Sequence, residues 1–130
     1  MSATTSITDL ALQDYRDVAR HAGQVRALAP GEALFHEGEA AAEMHVLLNG
    51  GIEVRARGTV IETVRPGDGL GILSLIDGRP RSATAVAVEP SEVAVLDARK
   101  FRFLVESTPG FVWFVMGEMA QRLRATNAAL

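Results

Sequence analysis

The chain has 130 residues, 48% of them hydrophobic and 22% charged, with a formal net charge of -3 and no cysteine. That length fits one ordinary domain, and the composition is that of a globular protein rather than a disordered one. The missing cysteines exclude a disulfide framework, thiolate metal ligands and a cysteine nucleophile, and the slightly acidic balance supplies no global attraction to nucleic acid. No apolar run reaches the roughly 18 residues of a membrane span, and the opening MSATTSITDL lacks the basic and apolar regions of a secretory signal. Cytoplasm is the default expectation.

Residues 7–22 predict a helix. Ile7, Leu10, Ala11, Tyr15, Val18 and Ala22 recur at three- and four-residue steps, Ser6 and Asp9 have capping-box spacing, and Gly23 supplies a stop. From about 25 to 97 the texture changes to short segments separated by Pro30-Gly31, Gly38, Asn49-Gly50-Gly51, Gly58, Pro66-Gly67 and Asp77-Gly78. Ile52 and Val54 alternate with Glu53 and Arg55, and Thr84, Val86 and Val88 alternate with Ala83, Ala85 and Ala87. Met44 to Leu48 and Val93 to Leu96 are apolar runs of strand length. Many short strands at near-regular spacing predict a sandwich or barrel, and Asn49-Gly50 predicts a hairpin.

Beyond Leu96 helical spacing returns. Asp97 can cap a helix over about 98–106 carrying Phe101, Leu104 and Val105. Thr108-Pro109 then starts a second helix over about 109–126, with threonine at the cap and proline at the first position. Val112, Val115, Met116, Met119 and Leu123 form its apolar stripe. The first half of that stripe is expected to pack on the barrel, the second half to self-associate.

The segment from Pro66 to Val86 carries the chemistry. Gly67, Gly69 and Gly71 let the backbone turn sharply and leave room for a group to approach it. Ile72 to Ile76 can form one or two helical turns whose first amides have no intrahelical acceptor, an arrangement that binds anions. Arg79 and Arg81 follow. A glycine-lined helix start facing an arginine can cradle a phosphate: the amides fix the geometry and the guanidinium supplies charge and a bidentate grip. The same residues also read as a glycine-rich turn, a short helix and two solvated arginines.

This stretch resembles the phosphate-binding cassette of the cyclic-nucleotide-binding domains found in the catabolite activator protein, kinase A regulatory subunits and gated channels. The matching residues are Pro66-Gly67-Asp68-Gly69-Leu70-Gly71, then Leu73-Ser74-Leu75, then Pro80-Arg81-Ser82-Ala83. The likeness extends over practically the whole chain, from the segment beginning Ala29-Pro30-Gly31 to the one ending Gln121-Arg122-Leu123. It implies a mainly β fold with flanking helices: a double-stranded β-helix, or jelly-roll, barrel with an N-terminal helix and C-terminal helices, forming one domain over 1–130. No residues remain for a helix-turn-helix domain, so no direct DNA binding is expected.

By position, the resemblance implies that Arg81 grips the exocyclic phosphate, helped by Gly71, by the backbone of Leu73 and Ser74, and by Ser82. Thr126 and Asn127 fall near where bacterial members contact the base. One departure stands out: the family's glutamate, which takes the ribose 2′-hydroxyl, is Ile72 here. An isoleucine cannot accept that hydrogen bond, which costs about 1–3 kcal/mol, roughly tenfold in affinity.

An enzyme is the main competing class. A cupin-type metal site needs clustered histidines, whereas His21, His36 and His45 are scattered, and Ser74 and Ser82 have no histidine spaced to activate them. Neither catalysis nor a metal or other cofactor is expected. Arg99, Lys100 and Arg102 read as a solvated helix face. Two functions remain. The first is a sensor of cyclic AMP, cyclic GMP or a related phosphate, acting through its terminal helix on a downstream protein, with a homodimer formed through that helix and no membrane partner. The second is an interaction module that has lost its nucleotide. Arg81-Ser82-Ala83 favours the first and Ile72 the second.

Overall fold

In the computed structural model, which describes residues 6–128, two short helices, α1 (Ile7–Ala11) and α2 (Arg16–Ala22), lead into eight strands. These are β1 (Gln24–Leu28), β2 (Ala33–Phe35), β3 (Glu43–Asn49), β4 (Ile52–Ala56), β5 (Thr59–Val64), β6 (Gly69–Leu70), β7 (Thr84–Ala87) and β8 (Ser91–Asp97). A third helix, α3 (Ile72–Asp77), interrupts the strands, and α4 (Ala98–Ser107) and α5 (Phe111–Ala128) follow them. The strands form two antiparallel four-stranded sheets, ordered β1-β8-β3-β6 and β2-β7-β4-β5. They face each other in a jelly-roll arrangement and are hydrogen-bonded separately rather than closed into one continuous barrel.

Strand β3 explains why Met44 to Leu48 is apolar apart from His45, for it is buried on both faces. Alternate residues of a strand face opposite sides. Met44, Val46 and Leu48 join Ala94 and Leu96 of β8 against a helical layer containing Tyr15, Ala19, Leu104, Phe111 and Phe114. Leu47 joins Leu70 and Val93 in the second cluster, between the sheets, against Phe35, Ile52, Val54, Val64, Ala85 and Ala87. The alternation read in β7 holds, with the alanines inward and Thr84 and Val86 half-buried.

Four local expectations are corrected. The helix expected over residues 7–22 is two. Ser6 and Asp9 form the anticipated capping box, but the chain breaks after α1, and the Asp14 carboxylate accepts the Arg16 amide at 3.0 Å to start α2. The break turns Tyr15 inward, 3% exposed, with its ring 5.7 Å from that of Phe111.

Asn49-Gly50 is not a hairpin, since β3 and β4 lie in different sheets. Gly50, at φ 95°, carries the chain around the corner between them, where a Cβ would run into Pro90 O at 2.6 Å. The tight two-residue hairpin is β4–β5, through Arg57 (φ 53°) and Gly58 (φ 79°).

Thr108 and Pro109 do not start α5. The Thr108 amide closes α4 on Leu104 O at 2.9 Å, and α5 begins at Phe111 after the Pro109-Gly110 turn. Finally, the buried face of α5 is Phe111, Phe114, Val115 and Glu118, while Val112, Met116 and Leu123 are exposed by 38%, 53% and 62%. The helix is apolar on two sides, and the aromatic side wins the core because it fills more volume against Tyr15 and Phe101.

Candidate ligand-binding site

Gly71, at φ 75°, follows β6 and caps the start of α3. A side chain there would be left-handed and also blocked: its Cβ would stand 2.6 Å from Arg81 Nη1 and 3.3 Å from His45 Nδ1. The glycine therefore lets the cassette backbone close onto two basic side chains from different parts of the fold.

Arg81 is held at both ends. Its amide donates to Glu39 O and its carbonyl accepts from Gly38, each at 2.8 Å, which anchors the segment before β7 to the β2–β3 loop. The side chain turns inward and is 3% exposed. Nη1 donates to Gly71 O and Nη2 to Glu43 O, both at 2.9 Å, and Cζ lies 4.2 Å from the centre of the Phe35 ring. Nε is buried without a partner, and among the described residues no carboxylate forms an ion pair with the guanidinium. Burial pulls its pKa below the ordinary arginine value, with Glu43 and Glu39 opposing. A guanidinium taken out of water is costly unless an anion pairs with it, and here two carbonyl dipoles and one ring stand in for that anion.

The guanidinium faces a cavity of about 100 Å³ walled by Phe35, Leu70, Ile72, Leu73 and Ser74 and closed by α5 through Arg122 and Thr126. Arg122 differs from Arg81. Its Nε donates to Glu62 Oε2 at 2.9 Å and its Nη2 to Gly69 O at 2.9 Å, which ties α5 to β5 and to the entry of the cassette. One turn earlier, Glu118 lies over Gly69 and is only 8% exposed. Burial first, then the nearby Asp68 and Glu62, push its carboxyl up to about 7, against the Gly69 amide and Arg122.

Of the residues singled out in the sequence, Gly71, Ile72, Leu73, Ser74, Arg81, Ser82 and Thr126 all line this one cavity. Asn127 is exposed and is not part of its wall. Arg79 is exposed, its amide donating to Asp77. Ile72 begins α3 as expected, but its side chain is 1% exposed and belongs to the core cluster beneath the helices as well as to the cavity wall. Sequence reasoning missed Phe35, His45, Glu62 and the clasp made by Arg122. A histidine inside the otherwise apolar run Met44 to Leu48 was the available signal for His45.

Residues 25–108 match the family profile described as Cyclic nucleotide-binding domain. The chain belongs to that family. Among its members, the cAMP-activated global transcriptional regulator CRP of Salmonella typhimurium is 30% identical over 100 residues, covering 72% of this chain and 48% of that protein. The Pycsar effector protein XpPycTIR of Xanthomonas perforans is 26% identical over 106 residues, covering 81% of this chain and 35% of that one. The crystal structure of Thermus thermophilus Catabolite Activator Protein aligns with a TM-score of 0.77 at 25% identity, over 95% of this chain and 61% of that chain. The chain thus spans half or less of these curated relatives. The cyclic nucleotide-binding fold accounts for the jelly roll, its flanking helices and the α3 cassette. Among the described residues no group of three or more potential ligands could hold a metal ion, and no helix is long and apolar enough to cross a membrane.

Proposed function

We propose that this chain is a non-catalytic sensor module that takes a cyclic nucleotide, or a related phosphate ligand, in the cavity beside Arg81. The observation that carries this reading is a 3% exposed arginine lining a cavity with an unpartnered Nε and no carboxylate partner. The free guanidinium protons and the first amides of α3 supply donors for a phosphodiester, with the Ser82 hydroxyl and the backbone of Leu73 and Ser74 beside them. With Arg122 engaged by Glu62, Thr126 is the other α5 residue on the cavity wall and is left to meet the rest of such a ligand. Binding there reaches α5 directly, because Arg122 couples that helix to the cassette. The outward apolar residues of α5 then offer a surface for a second copy of the chain, and a downstream protein reads the result.

The second reading is an interaction module that has lost its nucleotide, and Ile72 favours it, since no carboxylate stands at the start of α3 to accept a ribose hydroxyl. Calorimetric titration of the chain with cyclic AMP and cyclic GMP separates the two. Saturable heat that disappears in Arg81→Ala supports the sensor. A normally folded protein giving no heat with either nucleotide supports the interaction module.

A further inference from the structure

His45 lies on β3 and is 1% exposed. Its Nε2 is 3.7 Å from Glu43 Oε1, while Nδ1 is buried without a partner. That nitrogen faces Gly71, 3.3 Å from where a Cβ would stand, and Arg81 Nη1 approaches the same point to 2.6 Å. The imidazole also lies 5.9 Å from the Phe35 ring on which the guanidinium is stacked. Buried polar atoms are nearly always hydrogen-bonded. Among the described side chains the two buried nitrogens without a partner are His45 Nδ1 and Arg81 Nε, and both belong to this one cluster.

We propose that His45, which stands beside the Arg81 guanidinium behind Gly71 rather than on the cavity wall, is a proton-linked partner of the anion site: neutral while Arg81 lacks an anion, it takes up a proton when one pairs with the guanidinium. This rests on the anion-site reading above. The charged groups facing the imidazole are Glu43 on its own strand, Arg81 from the segment before β7, and Arg26 from β1. Burial first, then the two arginines, hold its pKa below the ordinary imidazole value, with Glu43 opposing. An anion on Arg81 cancels the nearer positive field and lowers the cost of the imidazolium. Linkage is reciprocal, so the anion binds more tightly as pH falls, by at most about tenfold per pH unit for one proton taken up.

The test is calorimetric titration of the whole chain with cyclic AMP between pH 6 and 8, in two buffers of different ionisation enthalpy, which counts the protons exchanged. The expected result is uptake of up to one proton and affinity about three- to tenfold higher at pH 6 than at pH 8. In His45→Gln binding persists and the pH dependence shrinks. Glu118 titrates in the same range, at about 7, but is present in both proteins, so the difference between them isolates His45. A second measurement needs no variant: the His45 ring signals should move toward the protonated form when cyclic AMP is added, with exposed His21 and His36 as references. Binding without proton exchange, or a slope unchanged in His45→Gln, overturns the role of His45 and leaves the anion site standing. No binding of cyclic AMP, cyclic GMP or inorganic phosphate at any of these pH values overturns both.

Discussion

Two arginines line the same cavity and are built in opposite ways. Arg122 reaches it from α5 and is neutralised by Glu62, with one further bond to the Gly69 carbonyl. Arg81 reaches it from the turn before β7, is more deeply buried, and meets only carbonyl oxygens and the face of Phe35. A protein that needed only structural glue at the second position could have used a carboxylate partner, as it does at the first. The contrast supports the proposed division, in which Arg122 holds the helix and Arg81 meets a ligand.

The most direct way to break that contrast is to remove each arginine in turn. Arg81→Ala should weaken cyclic AMP binding by about 2–5 kcal/mol in a calorimetric titration, because a desolvated phosphate loses its charged partner. Arg122→Ala should instead appear mainly in stability, at about 1–2 kcal/mol by urea unfolding, since it strands the largely buried Glu62 carboxylate. Arg79→Ala, on an exposed turn, should alter neither measurably. Equal binding losses from Arg79→Ala and Arg81→Ala would end the distinction.

Ile72→Glu sharpens it from the sugar side. A carboxylate at a 1% exposed position costs stability, about 2–3 kcal/mol. It also supplies the missing acceptor, so affinity for cyclic AMP should rise about tenfold while that for a 2′-deoxy analogue stays level. An equal gain for both ligands would mean that the hydroxyl is not what residue 72 reads.

Glu118 tests the Arg122 end. Its carboxyl titrates near 7 in the folded protein, above the value of about 4.3 for a free glutamate, so the folded state holds the proton more tightly than the unfolded one. Stability is therefore lost as pH rises from about 4.5 through 7, and levels off above. Glu118→Gln should gain on the order of 1–2 kcal/mol at pH 8 and almost nothing at pH 4.5, measured by urea unfolding at both values. A gain of the same size at both would show that its charge is not the cause.

The smallest effect on the folded monomer is expected at Leu123, which is 62% exposed. Sedimentation at micromolar concentration should give a dimer that Leu123→Asp dissociates with little change in the melting temperature. A monomer for the unmodified chain would reject self-association through α5.

Much of this architecture was legible in the residues because alternation and turn chemistry are local. Ala83, Ala85 and Ala87 alternate with Thr84, Val86 and Val88 as read, Asp97 caps α4 by accepting the Lys100 amide at 2.9 Å, and the cassette residues meet in one cavity. What failed required knowing a partner in space. Asn49-Gly50 announced a tight turn, but only the position of Ser91 and Pro90 decides that the turn switches sheets. Both faces of α5 are apolar, and the choice between them depends on the aromatic cluster supplied by Tyr15, almost a hundred residues earlier. His45 and Glu62 gain their roles from residues 36 and 60 positions away, beyond any spacing rule.

The close meeting of α1 and α5 has a mechanical side. Ala11 packs so tightly on Gly117 that a Cβ on the glycine would lie 3.0 Å from the alanine methyl. Beyond that contact α5 is held by the Arg122 clasp to Glu62 and Gly69, which any tilt about residue 117 would have to stretch. From residue 117 to Thr126 its arm is about 13 Å at 1.5 Å per residue, so a tilt of about 10° swings the far end by roughly 2 Å. That is nearly the length of a hydrogen bond, gained from a rotation small enough to leave the pivot packed.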